Sequence, residues 1–72
     1  MKLEELSRSQ LETLIDEWIV GNYAERDRAL LKRRLIDGIC FEPLSEEFNL
    51  SVRHTKQIIY KRTQLLLKHL YK

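Results

Sequence analysis

Residues that interrupt helices are few in this 72-residue chain, and they lie far apart. The chain contains two glycines and one proline, at Gly21, Gly38 and Pro43. Both residue types are unfavourable inside a helix, and glycine often ends one because it adopts positive φ without steric cost. The stretches between and after them consist mostly of good helix formers. The sequence therefore predicts an all-α fold.

The length limits the chain to one small domain. A domain of this size hides only about 60% of its unfolded surface, so a few closely packed elements must form the core. The single cysteine, Cys40, cannot form an internal disulfide and fits a reducing compartment. No apolar run approaches the roughly 20 residues needed to cross a bilayer, and the acidic start lacks the order of a signal peptide. We expect one soluble, cytoplasmic domain over residues 1–72.

Two amphipathic segments precede Gly38. In the first, Ser9 and Glu12 have the spacing of a capping box, and apolar residues recur at helical spacing over about residues 9–20. The second begins with a cap pattern at Asn22 and ends where glycine permits a left-handed turn. The residues expected in the core are Leu11, Leu14, Ile15, Trp18 and Ile19 from the first segment and Leu30, Leu31, Leu35 and Ile36 from the second.

The remainder of the chain predicts a short helix, a turn and a long helix. Pro43 is tolerated only in the first turn of a helix, so the short helix should begin near Phe41. Asn49 suits a left-handed turn, and Ser51 suits the N-cap of the long helix. This order is typical of a helix-turn-helix unit, here within a core of about residues 24–70. The predicted architecture is a four-helix domain whose first helix closes the core against the end of the fourth.

Charge is distributed unevenly along the chain. Residues 1–21 carry a net charge of −3 and residues 22–50 a net charge of −1, whereas residues 51–72 carry +6 and no acidic residue. A basic segment of this kind indicates a polyanionic partner, or it neutralises an acidic neighbour within the fold. Charge alone leaves both readings open.

The polar side of the long helix supplies the candidate site. A recognition helix presents its N-terminal residues to base edges in the major groove, while flanking cations contact phosphates. Arginine and lysine suit guanine, and glutamine suits adenine. The base-contact candidates are Arg53, His54, Lys56, Gln57 and Tyr60, and the phosphate-contact candidates are Ser51, Lys61, Arg62, Lys68 and Arg33.

Catalytic and metal chemistry have little support. Cys40 is the one strong nucleophile, but spacing places no base or orienting group beside it, and a buried structural thiol is the more common case. His54 and His69 lie on one predicted helix, more than about 20 Å apart at 1.5 Å per residue, so they cannot share an ion. There is no glycine-rich phosphate loop. We expect no enzymatic activity, no metal and no cofactor.

Four segments follow one extended pattern: the charged stretch 25–28, the helix end and turn 35–39, the short helix 41–48 and the turn 49–52. Together they resemble the region 4 helix-turn-helix of bacterial sigma factors, the sigma-70 type, and of small phage or mobile-element regulators. Lys56 matches a frequent lysine of that family's recognition helix, whereas Thr55 replaces an aliphatic residue and Arg62 a small one. The resemblance implies a stand-alone transcriptional regulator that binds double-stranded DNA, with RNA polymerase as a further partner.

Two functions remain open. The first is a sequence-specific DNA-binding regulator, which would dimerise on a two-fold operator through the C-terminal apolar residues Leu65, Leu67, Leu70 and Tyr71. The second is a protein-interaction adaptor that binds RNA polymerase or another regulator, without DNA specificity of its own, through the Trp18 stripe and the leucine-rich end.

Overall fold

The computed structural model describes residues 5–70, which form four α-helices and no β-strand. The predicted all-α, four-helix fold is confirmed. Within the described residues, no helix combines the length and apolar character required to cross a membrane. Tyr71, predicted to contribute to a dimer contact, lies outside the described residues. The helices are α1 (Arg8–Trp18), α2 (Ala24–Leu31, continued by a π-helical segment at Lys32–Ile36), α3 (Phe41–Glu47) and α4 (Val52–Leu70).

Helix α1 begins earlier than its sequence predicts. Its N-cap is Ser7, whose Oγ accepts a hydrogen bond from the backbone N–H of Gln10 at 3.2 Å. The Gln10 Oε1 in turn accepts from the backbone N–H of Ser7 at 2.9 Å, which completes a capping box. The box predicted at Ser9 and Glu12 is therefore wrong, because Ser7 and Gln10 offer the same chemistry two residues earlier.

The turn between α1 and α2 contains two left-handed residues. Gly21 has a φ of 94°, and Tyr23 has a φ of 61°. Tyr23, rather than the predicted Asn22, is the N-cap of α2, and no side chain caps this helix end. Positive φ is uncommon for an aromatic residue, so the conformation of Tyr23 costs free energy that other contacts must offset.

The helical segment that continues α2 ends in a turn that is wider than an α-helical turn. The backbone N–H of Asp37 donates to the Lys32 carbonyl at 3.2 Å, a bond one residue longer than in an α-helix. Gly38, with a φ of 70°, then ends the segment as predicted from its missing Cβ. The π-helical turn itself has no equivalent in the sequence pattern.

The turn between α3 and α4 follows the sequence prediction closely. Asn49 adopts a φ of 56°, and the N–H of Leu50 donates to the Ser45 carbonyl at 2.9 Å, as in a Schellman motif. Ser51 then caps α4, because its Oγ accepts from the backbone N–H of His54 at 3.0 Å. Hydrogen bonds between residues at most five positions apart thus define this turn.

All four helices contribute to one apolar core, and α1 closes it against α4 as predicted. Thr55 is fully buried, and its hydroxyl donates to the Ser51 carbonyl at 2.9 Å, which satisfies the hydroxyl. Trp18 does not lie inside this core as expected: it remains 37% exposed and stacks on His69 with ring centroids 3.7 Å apart. The core consists of Ile15, Ile19, Leu30, Leu31, Leu44, Ile58, Ile59 and Leu66.

Candidate nucleic-acid interface

The N-terminal half of α4 presents a continuous polar surface opposite its buried side. Its core contacts come from Thr55, Ile58 and Ile59. Five side chains at helical spacing line a shallow concavity on the outer side; Val52 is half-buried, and the other four are exposed. We call the four polar ones the α4 face: Arg53, Lys56, Gln57 and Tyr60.

The fifth base-contact candidate lies to one side of the α4 face. His54 is exposed, but it does not line the concavity. Its backbone N–H is bonded to Ser51, so this residue also marks the capped first turn of α4. The structure thus brings four of the five base-contact candidates onto one surface.

Phe41, the first residue of α3, contacts two side chains of the α4 face. Its ring meets that of Tyr60 edge-to-face with centroids 6.0 Å apart, and the Nζ of Lys56 lies 5.5 Å from the Phe41 centroid. The guanidinium of Arg34 stacks on the same ring at 4.3 Å. These aromatic and cation–π contacts restrict where Lys56 and Tyr60 point. Sequence analysis missed this role, for which the one signal was the position of Phe41 at the predicted helix start.

The lysines predicted to contact phosphates are available to a ligand. Lys61 and Lys68 are both exposed, and neither forms an ion pair with a described residue. Ser51 is exposed too, although its Oγ already accepts the capping hydrogen bond. These three residues lie on the helix that carries the α4 face or immediately before it.

Arg62 lies on the side of α4 that faces α2. Its Nε donates to Asp27 Oδ2 at 2.8 Å, and its Nη2 donates to the Asn22 carbonyl at 3.3 Å. The side chains of Arg62 and Asp27 are only 19% and 5% exposed. This guanidinium therefore joins two helices, which is a different role from the phosphate contact predicted for it.

Arg33 is also engaged within the fold. Its Nε donates to both carboxylate oxygens of Glu47 at 3.1 Å, and its Nη1 donates to Asp37 Oδ2 at 3.2 Å. Hydrogen bonding to Glu47 and then to Asp37 raises the pKa of Arg33 above its ordinary value. The side chain thereby ties the π-helical segment to the end of α3, and two carboxylates offset its charge.

The cysteine considered for catalysis does not lie in the buried position expected from the sequence. Cys40 is exposed at the N-cap position of α3, so the expectation of a buried thiol is wrong. Within the described part of the chain, no group of His, Cys, Asp and Glu residues has the arrangement needed to hold a metal ion.

The C-terminal half of α4 carries an open, largely apolar concavity of about 700 Å³. Leu65 and Leu67 line it together with Lys61 and Lys68. This surface overlaps the segment predicted to form a dimer, and dimerisation stays a prediction.

Comparison with other proteins adds no relative. No protein-family model matches the chain, and neither a curated protein nor a solved structure does. The candidate interface therefore rests on its residues and their geometry.

Proposed function

We propose that the protein is a sequence-specific transcriptional regulator that binds double-stranded DNA, with α3 and α4 acting as a helix-turn-helix. The observation that carries this proposal is the α4 face. Two cations, an amide and a phenol lie exposed together at the start of a long helix whose other side is buried. Residues 51–72 contain no acidic residue that would repel a phosphate backbone.

The chemistry of the α4 face matches that of base edges in the major groove. The groove is about 12 Å wide and admits an α-helix. Arg53 and Lys56 would donate to guanine O6 and N7, and Gln57 would pair with the N6 and N7 of adenine. Tyr60 and His54 would contact a base or a phosphate beside them. Because Phe41 restricts Lys56 and Tyr60, the face is partly ordered before DNA arrives.

The flanking contacts would come from the exposed cations. Lys61 and Lys68 would approach phosphates, and the N-terminus of α4 at Ser51 would offer backbone N–H groups to another. Arg33 and Arg62 have no part in the proposed interface. Two carboxylates offset the charge of Arg33, and Arg62 lies on the side of α4 that faces α2, away from the α4 face.

The resemblance to sigma region 4 extends the proposal to RNA polymerase as a second partner, in a phage or mobile-element regulator. A cytoplasmic location would bring the protein to both DNA and polymerase. A homodimer through Leu65 and Leu67 would match a two-fold operator, and sedimentation at micromolar concentration would detect it.

The test is a DNA titration at a series of salt concentrations, with random and candidate promoter duplexes. Affinity should fall linearly on a log–log plot, and each lost phosphate contact should reduce the magnitude of the slope by about 0.9. Lys56→Ala and Lys61→Ala should weaken binding. The matched control is Lys32→Ala, which removes the same charge from a lysine that pairs with Asp16 at 2.8 Å.

Two results would contradict the proposal. One is the absence of binding to either duplex at low salt, and the other is an equal effect of Lys56→Ala and Lys32→Ala. Selection of duplexes from a randomised pool at two salt concentrations would then report the preferred sequence and its half-site symmetry.

The second candidate function is an adaptor that binds RNA polymerase or another regulator without its own DNA specificity. The apolar concavity at Leu65 and Leu67 favours it, because exposed apolar surface often marks a protein interface. A monomer that lacks DNA affinity and binds purified polymerase would support the adaptor instead.

A further inference from the structure

Exposed apolar side chains concentrate at the corner between α1 and α2. Four large hydrophobic residues of the described chain are exposed, and three of them lie within residues 18–23. Val20 is 57% exposed and Tyr23 is 70% exposed. Neighbouring apolar groups in water are unfavourable and often mark an interaction surface. This corner lies on the α2 side of α4, away from the α4 face.

The backbone conformation of Tyr23 is a second unusual feature of the same corner. Its left-handed conformation, with φ 61° and ψ 21°, is costly for an aromatic residue. Tyr23 caps α2 without a side-chain hydrogen bond, and its exposed ring contacts the Arg26 guanidinium at 4.6 Å rather than the core. Neither capping nor core packing explains why a tyrosine occupies this position.

A concavity of about 440 Å³ lies beside Tyr23, between α2 and α4. Three cations line it, Arg26, Lys61 and Arg62, together with one carboxylate, that of Asp27. Asp27 Oδ1 lies 3.1 Å from Arg26 Nη2, and its Oδ2 lies 2.8 Å from Arg62 Nε. The buried carboxylate thus holds both guanidiniums in place and neutralises one charge. Two positive charges remain in excess around the concavity.

We propose that this corner, defined by Val20, Tyr23, Arg26, Lys61 and Arg62, binds an acidic segment of a partner protein. A carboxylate of the partner would contact Lys61 Nζ and the Nη1 groups of Arg26 and Arg62, which form no hydrogen bond with a described residue. An apolar side chain next to that carboxylate would cover Val20 and Tyr23. The proposal goes beyond DNA binding and does not depend on it, and Lys61 is the one residue that the corner shares with the proposed DNA contacts.

The apolar rim argues for a protein rather than for DNA as the occupant. A phosphate backbone would satisfy the cations, but it would leave Val20 and Tyr23 against a charged and hydrated surface. A peptide that alternates acidic and apolar residues satisfies both halves of the corner. The aromatic and arginine content also matches the residues that dominate binding energy at protein interfaces.

The test begins with a phage-displayed library of random peptides, selected on the immobilised full chain. We expect enriched peptides to combine Asp or Glu with an adjacent large apolar residue. Isothermal titration calorimetry with the synthetic form of one such peptide then compares variants. Tyr23→Ala and Arg26→Gln should each weaken binding by at least about tenfold, the loss expected for an interface anchor.

Controls separate this proposal from the proposed function. Arg53→Gln, on the α4 face, should leave peptide affinity unchanged, whereas Tyr23→Ala should leave DNA affinity unchanged. Circular dichroism checks the fold of each variant, and Val20→Ser provides a second exposed substitution should Arg26→Gln unfold. No enrichment of acidic and apolar peptides, or equal peptide affinity for Tyr23→Ala and the unmodified chain, would overturn the proposal. Loss of DNA affinity in Tyr23→Ala would overturn it as well, because DNA would then occupy the corner.

Discussion

Two regions of the molecule carry the same number of cations and use them differently. Residues 26–34 and residues 53–68 each contain five lysines and arginines. In the first region every cation is engaged, whereas in the second Arg62 is the one that pairs with a carboxylate of the described chain. The partners in the first region are Asp27 for Arg26, the Ile19 carbonyl for Arg28, Asp16 for Lys32, Glu47 and Asp37 for Arg33, and the Ile39 carbonyl for Arg34.

The difference arises from the acidic residues within reach. Four carboxylates surround the cations of the first region, whereas residues 51–72 contain none. An engaged cation stabilises the fold and contributes little field at a distance, while an unpaired cation projects its potential into solvent. Counting charges along a sequence cannot distinguish the two, and substitutions can.

The largest effect should come from Asp27→Ala. It would leave Arg62, only 19% exposed, and its neighbour Arg26 without their carboxylate, so the free energy of unfolding should fall by about 3 kcal/mol. Urea denaturation followed by circular dichroism measures it. Glu25→Ala removes an exposed carboxylate from the same helix and should change the free energy by less than about 0.5 kcal/mol. If both substitutions lowered the free energy of unfolding equally, the Asp27–Arg62 pair would not be what stabilises the fold.

Arg53→Gln tests whether a cation without an ion pair in the described chain contributes to DNA affinity rather than to stability. Because one bidentate contact to guanine contributes about 1–3 kcal/mol, affinity for a selected duplex should fall by about fivefold or more. The free energy of unfolding should change by less than about 0.5 kcal/mol, since Arg53 has no ion-pair partner in the described chain. Fluorescence anisotropy and denaturation measure the two quantities. A stability loss without an affinity loss would contradict the assignment.

Arg33→Gln should give the opposite pattern with a smaller magnitude. It breaks the paired contacts to Glu47 and Asp37, so the free energy of unfolding should fall, but by less than in Asp27→Ala because the Arg33 side chain is 41% exposed and solvent screens the pairs. The salt dependence of DNA binding should not change. If the log–log slope falls by about 0.9 instead, Arg33 contacts a phosphate as first predicted, and the distinction between the regions fails.

The smallest effect should come from Lys68→Gln. It removes one unpaired charge, so the slope of DNA binding against salt should fall in magnitude by about 0.9 with no measurable change in stability. Lys32→Gln is its matched counterpart in the engaged region. It should leave the slope unchanged and lower the free energy of unfolding by about 0.5 kcal/mol, because it loses the ion pair with Asp16.

Local chemistry explains which parts of the fold could be predicted. Gly38, Asn49 and Ser51 were assigned correctly because each acts on its own backbone or on a residue within one helical turn. The helical spacing of apolar residues likewise predicted the part of the core that α1 and α2 contribute, Ile15, Ile19, Leu30 and Leu31. The error at Ser9 was local too: two capping boxes overlap in the sequence, and only folding selects Ser7.

The remaining features depend on contacts that spacing does not encode. Asp27 and Arg62 lie 35 residues apart, so nothing near Arg62 distinguishes it from the lysines around it. The left-handed conformation of Tyr23 contradicts the preference of its residue type. The grouping of Arg53, Lys56, Gln57 and Tyr60 was predictable from helical periodicity, but the support from Phe41 required the packing of α3 on α4.

The contact between Trp18 and His69 gives this protein an internal optical probe. Trp18 is the single tryptophan in the sequence, and its indole lies flat against an imidazole at the far end of α4. Its emission therefore reports the separation of the first and last helices without any attached dye. Opening of that end would alter the emission spectrum, even where circular dichroism registers the same helical content.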